Sequence, residues 1–264
     1  MSIVRPTPAQ RTRRLAVLAA TVFAIVVPLL QNLLNLGLTQ AEFAADGNQT
    51  LRVAGYAFSI WGLIYAGIAA YAIRQVLPNT GESTLITRMG WPSFVSFFGI
   101  GLWIIMAAAN LRVASVIVIV ASLLAILVPL LASARTIRNT PIAHRDRMLL
   151  IWPLAALAGW LTVASPLNLI TTATALDALP DLMSPLGWAL TAVAVVTVVG
   201  LLVSWALRTL AYPLPIAWGL IGAFVAEQDT QPVLGFSALA AALLLVVGGV
   251  IFAFGLRRGI DRAA

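Results

Sequence analysis

The chain has 264 residues, of which 61% are hydrophobic and 9% charged, and its mean hydropathy is +0.99. Soluble domains run about 45 to 50% apolar and about 25% charged, so the surplus apolar surface faces lipid and no soluble domain remains. The net charge is +7, from sixteen arginines against nine acids, and with no cysteine and one histidine the chain excludes disulfides, thiolate metal sites and cysteine nucleophiles.

Eight apolar stretches follow in chain order, at 15–36, 53–77, 90–111, 113–134, 148–170, 186–207, 210–226 and 233–256. About 20 apolar residues cross a bilayer as a helix. The expected fold class is therefore all-α, a polytopic helical membrane protein of about eight transmembrane helices. The first stretch follows an Arg-rich tail, 1–14, and is longer than the roughly 7 to 15 residues of a signal-peptide core, so it counts as a span. With the N-terminus placed in the cytoplasm, only Arg52 and Arg112 fall outside and the other fourteen arginines fall inside. That asymmetry predicts both termini in the cytoplasm of a bacterial-type cell (inner) membrane. The pI near 11.2 is then a consequence of topology, with the lipid bilayer as partner and no nucleic acid. The loop 135–147 is expected to touch anionic headgroups, with His144 a solvated loop residue.

Polar and aromatic residues inside the spans are the informative exceptions, because an unpaired polar group in hydrocarbon is costly. In the first span Gln31, Asn32 and Asn35 share a face near the outer end. The outer loop 37–52 is long enough to fold over a cavity mouth. In the second span Phe58, Trp61 and Tyr65 recur at three and then four; in the third, Asn110 follows Trp103 by seven. The fifth carries Trp160, Ala164 and Asn168 at strict spacings of four. All four stripes climb toward the outside at similar depth. Interhelical packing is the competing reading, and near span ends Trp91, Trp152, Trp188 and Trp205 fit an interfacial belt.

No ionisable residue lies deep in a span, which weakens an ion-coupled pump. P-loop, zinc-protease and Ser-His-Asp patterns are missing, so no catalytic residue and no metal ligand is assigned. The last three spans contribute Pro213 and Pro215, which fit an entry kink, and Gly248 and Gly249, which fit close helix approach. They are expected to form a packing layer or a partner surface, a homo-oligomer through helix packing included.

The stretch Phe58-Ser-Ile-Trp61-Gly-Leu-Ile-Tyr65 resembles the second-helix signature of the tryptophan-rich sensory protein family, also called the translocator protein or peripheral benzodiazepine receptor family. Trp160-Leu-Thr-Val-Ala164-Ser-Pro-Leu167-Asn168 is similar to its fifth-helix motif. The resemblance is to a divergent branch: Val53-Ala54-Gly55 stands where a double proline usually precedes the second-helix motif, and the third-helix Asn-x-x-Trp-Ser pattern is not recognisable. It implies a five-helix bundle over 15–175, with 176–264 adding three helices that have no counterpart there and a short tail. It also implies a pocket for porphyrins, sterols or synthetic aromatic ligands, lidded by the first loop and lined by Trp61, Tyr65, Trp160, Ala164 and Asn168.

The leading expectation is a membrane receptor or binding protein for a flat apolar ligand, tetrapyrrole- or sterol-like, in an outer-half pocket. Phe58, Trp103, Asn110, Asn32 and Asn35 complete the candidate site. No cofactor is required, a porphyrin or similar molecule being the ligand. A facilitator or exporter of small amphipathic molecules, and light-dependent breakdown of a bound porphyrin, are the alternatives.

Overall fold

The Thr7 hydroxyl accepts from the Gln10 amide while the Gln10 side chain accepts from the Thr7 amide, a reciprocal cap that starts the first helix at Pro8. In the computed structural model, which describes residues 6–45, 50–77, 80–141 and 144–255, this helix is α1, Pro8–Leu33. It begins inside the expected tail, so Arg11, Arg13 and Arg14 are helical, and Arg13 and Arg14 are buried. The short α2, Gln40–Ala45, follows. A 3₁₀ turn at Gly55–Ser59 leads into α3, Ile60–Val76. Then come α4, Thr84–Ala108, capped by Ser83, and α5, Arg112–Ala132. A short α6, Ala134–Asn139, precedes a π turn at Arg147–Ile151 and α7, Trp152–Ala175. The remainder is α8, Pro185–Leu207, α9, Pro213–Glu227, and α10, Pro232–Val250, each opened by proline at a position whose missing N–H costs nothing. The expectations placed on Arg5, Arg257, Arg258, Arg262 and the final tail lie outside the described residues.

Five helices close into a ring in the order α1, α4, α5, α7, α3 and back to α1. Each turns a buried stripe inward and an apolar one outward: on α5 the exposed residues include Val113, Ile117, Ala121, Leu124, Val128 and Leu131, spaced for one helical face. This surface is solvated by lipid. Of the ring helices, α7 is the most enclosed, because α9 and α8 pack against its other side, with α10 behind them. Gly159 permits this, since a β-carbon there would strike the Tyr212 carbonyl.

Among the described residues, seven helical segments are long and apolar enough to cross a membrane. The eighth expected span is shorter: α9 has 15 residues, about 22 Å at 1.5 Å each. Its late start follows from Arg208, whose left-handed backbone ends α8, and from the turn at 210–212 before Pro213. The segment 208–227 nevertheless reaches both ends of the bundle. At one end the Arg208 carbonyl accepts from Arg147; at the other Glu227 pairs with Arg52. Gly248 and Gly249 serve contacts within the chain, against Leu201 and Pro213.

The two ends differ in charge. At one, Arg13 and Arg14 pair with Glu82, Arg74 pairs with Asp146, and Arg14 and Arg147 donate to carbonyls at helix ends. This is the arginine end. The opposite end carries α2, Arg52 and Arg112, and is the cap end.

Candidate functional site

The 3₁₀ turn before α3 sets Phe58 and Trp61 toward the ring axis from one side; α4 supplies Trp103, and α7 supplies Trp160, Ala164 and Asn168. These six line one cavity near the cap end, completed by Ile119, Leu167 and Thr171 and closed from above by Gln40, Phe43 and Ala44 of α2. No lining residue is ionisable. The cavity holds about 20 Å³ of free volume, enough for roughly one water, so α2 sits down on a filled aromatic cage.

Trp61 is the hub of that cage. It stacks on Tyr65 at 5.3 Å between centroids and on Trp103 at 6.4 Å, and it meets Trp160 edge-on at 6.1 Å. Phe58 meets Trp160 edge-on at 6.3 Å. These offset and T-shaped contacts are the arrangements that aromatic quadrupoles favour. Trp61, Trp103 and Trp160 are at most 5% exposed.

Their polar atoms are unusual. The indole N–H groups of Trp61, Trp103 and Trp160 and the hydroxyls of Tyr65 and Thr171 are buried with no hydrogen-bond partner. An indole can only donate, and each buried donor left unmade costs about 1 to 3 kcal/mol. The cage therefore presents donors without acceptors from the protein.

Phe43 closes it, edge-on to Trp103 at 6.5 Å and beneath the Arg112 guanidinium at 5.8 Å. The cap helix forms because Thr39 and Glu42 cap it reciprocally, at 2.7 and 3.2 Å. The Thr39 amide and hydroxyl hold the Glu42 carboxyl below its usual range. Before α2 the chain turns at Gly37, with φ +68°, where only glycine is comfortable, and the Leu38 amide donates to the Ala108 carbonyl at 3.1 Å.

Of the residues singled out in the sequence, Phe58, Trp61, Trp103, Trp160, Ala164 and Asn168 converge on the cavity, and Tyr65 stacks behind Trp61. Asn168 is also a packing residue, donating to the Ser115 hydroxyl of α5 at 3.0 Å. Asn32, Asn35 and Asn110 lie away from it. Asn32 is exposed and donates back to the Pro28 carbonyl at 2.9 Å. Asn35 and Asn110 follow the ends of α1 and α4 in left-handed conformations, φ +50° and +56°, so the helical spacing that grouped them does not apply. Gln31 acts at the start of the cap, where its side-chain amide donates to the Leu38 carbonyl at 2.6 Å.

Sequence reasoning missed Phe43, Gln40, Ala44 and Thr171. The pattern Thr39-x-x-Glu42 was a usable signal for a capped helix inside the loop. Among the belt tryptophans, Trp91, Trp152 and Trp205 are exposed on the bundle surface.

A ring of lipid-facing helices around a buried aromatic cage defines a multi-pass membrane protein of the binding-protein class. A family model described as TSPO-like protein matches residues 14–251. The chain belongs to that family. The match runs through α8 and α9 to the end of α10. Comparison with curated proteins and with solved structures returns no match.

Proposed function

We propose that this chain is an integral membrane binding protein for a flat apolar ligand bearing hydrogen-bond acceptors, tetrapyrrole- or sterol-like in class. The ligand lies in the cage between Trp61, Trp103 and Trp160, beneath α2. The observation that carries this reading is the gathering of three indole N–H groups and the Thr171 hydroxyl, none with an acceptor in the protein, around one cavity, where a ligand acceptor would satisfy them. Stacking on indole faces supplies affinity, and the donors supply orientation. No resident cofactor is required. The arginine end belongs in the cytoplasm with both termini, in a bacterial-type cell membrane, and the cap faces outside.

Titration with metal-free and iron porphyrin, read by tryptophan fluorescence in detergent, tests the reading. Saturable binding of both with similar affinity is expected, because the cage offers no histidine or cysteine ligand to iron. A requirement for iron, or no saturation, overturns it.

A facilitator finds less support. Between the cage and the arginine end the ring is filled by Ile64, Ile68, Phe97, Ile100, Leu154 and Leu157, each at most 2% exposed. Tyr71, bonded to Ser93 at 3.0 Å, and Gln75 form a buried polar group beyond that layer. Porphyrin flux across liposomes would reverse this order.

A further inference from the structure

Among the described residues, two arginines stand at the cap end, and both hold the cap. Arg112 covers Phe43. Arg52 lies on the segment returning from α2 to α3 and is fastened to α9. Its amide donates to Glu227 Oε1 at 2.6 Å, its guanidinium donates to Glu227 Oε2 at 3.1 Å and to the Ala226 carbonyl at 2.6 Å, and it also meets the Thr230 hydroxyl. Two residues on, the Ala54 amide donates to the Gly222 carbonyl at 3.0 Å. The start of the cap is tied to ring helices α1 and α4 through Gln31 and Ala108. The return is tied mainly to an accessory helix, with Thr50 to Thr174 at 2.8 Å its contact with the ring.

Glu227 is badly placed for α9 itself. It is the last residue of the helix, where the backbone dipole disfavours a carboxylate, and it is 0% exposed, where an unpaired charge is not tolerated. Arg52 is the partner that makes the position tenable.

We infer that Glu227 is a positioning residue for the ligand site: by clamping Arg52 it sets how readily α2 lifts from the cage, so the accessory helices govern ligand exchange. The inference rests on the cage being the binding site. Its logic is mechanical. The cage encloses too little free volume for a flat ring system, so α2 must rise to admit one, and the return segment, which packs on α2 at Gly55 and Ala41, is held by the Thr50–Thr174 contact and by the stronger clamp on α9.

The chain has no cysteine, so Ala44→Cys places a unique thiol on the half-buried face of α2, and its labelling by a maleimide reports lifting. Porphyrin release is followed separately in the cysteine-free chain. Glu227→Gln keeps an acceptor for the Arg52 amide and removes the ion pair. It is expected to speed both labelling and release of metal-free porphyrin about tenfold, the scale of one charge-assisted hydrogen bond. The swapped pair Arg52→Glu with Glu227→Arg is expected to restore both rates to within about threefold, since the cation then suits the helix end. Thr191→Val, removing an exposed hydroxyl on α8 that bonds Gly187 and Met183 and touches neither α2 nor Arg52, should change neither. If Glu227→Gln does not fold, Thr230→Val removes only the hydroxyl contact, with a rise of about threefold expected, about half the free energy of that tenfold effect. Unchanged rates in the clamp variants, or an equal effect of Thr191→Val, overturn the inference. If the parent chain binds no porphyrin the proposed function fails, while the labelling rates still decide whether Glu227 restrains α2.

Discussion

Trp61 and Trp160 meet edge to face, with centroids 6.1 Å apart and planes at 83°, and neither indole N–H has a partner. The first relation is what packing alone produces; the second is not. Indoles that only packed would ordinarily find a carbonyl, as Trp218 does in donating to Ala57 at 2.9 Å. The contrast sets the cage indoles apart from Trp218 in the same bundle.

Ala164 sits one turn from both Trp160 and Asn168 and lines the cavity. Ala164→Leu fills the space a ligand needs and presses on α2, which can yield, so the stability loss should fall near 1 kcal/mol, the low end of overpacking. Porphyrin affinity should drop tenfold or more. Ala125→Leu on α5 should leave affinity alone. Thermal unfolding in detergent and fluorescence titration are the readouts; lost stability with unchanged affinity assigns Ala164 to helix packing.

Tyr65→Phe removes a buried hydroxyl that has no partner. Deleting an orphaned polar atom relieves its desolvation cost, so the ligand-free protein should be as stable as the parent or up to about 1 kcal/mol more so. Ligands with hydrogen-bond acceptors should bind about tenfold more weakly. A clear fall in the unfolding temperature would mean that Tyr65 has a structural partner and is no donor in waiting.

The sequence made the second and fifth helices legible as site-bearing because Trp61 and Tyr65, and Trp160, Ala164 and Asn168, each lie on one unbroken helix, while Phe58 joins them from the 3₁₀ turn, whose period of three suits its spacing to Trp61. Asn35 and Asn110 misled because spacing is meaningful only while the helix lasts. Both lie just beyond a helix end, where asparagine tolerates the left-handed backbone. Phe43 was hidden for the opposite reason: α2 has six residues, too few for periodicity. Arg13 and Arg14 read as tail because charge suggests water. Their burial depends on Glu82, about seventy residues away, and no local pattern announces such a pairing.

That cluster carries a pH dependence. Partial burial alone would raise the Glu82 carboxyl pKa, but hydrogen bonds from Arg13, Thr87 and Arg14, with the charge of Arg13, bring it below the usual value of 4.5. A group whose folded pKa is lowered stabilises fully above its unfolded value and loses that contribution as pH falls through the folded one. The unfolding temperature should therefore lose the Glu82 contribution only below about pH 4.5. Glu82→Gln should lower it at pH 7 and remove that part of the acid dependence. Parallel acid profiles for the two proteins would remove Glu82 from the account.

The measurement that bears most directly on the cage is a structure of the chain in lipid nanodiscs with metal-free porphyrin bound. The account predicts ring density between Trp61, Trp103 and Trp160, with α2 raised and an acceptor within reach of at least one of the indole N–H groups. Density instead in the outward groove between α1 and α4, lined by Val27, Leu30 and Ile105, with the cage still closed, would contradict it.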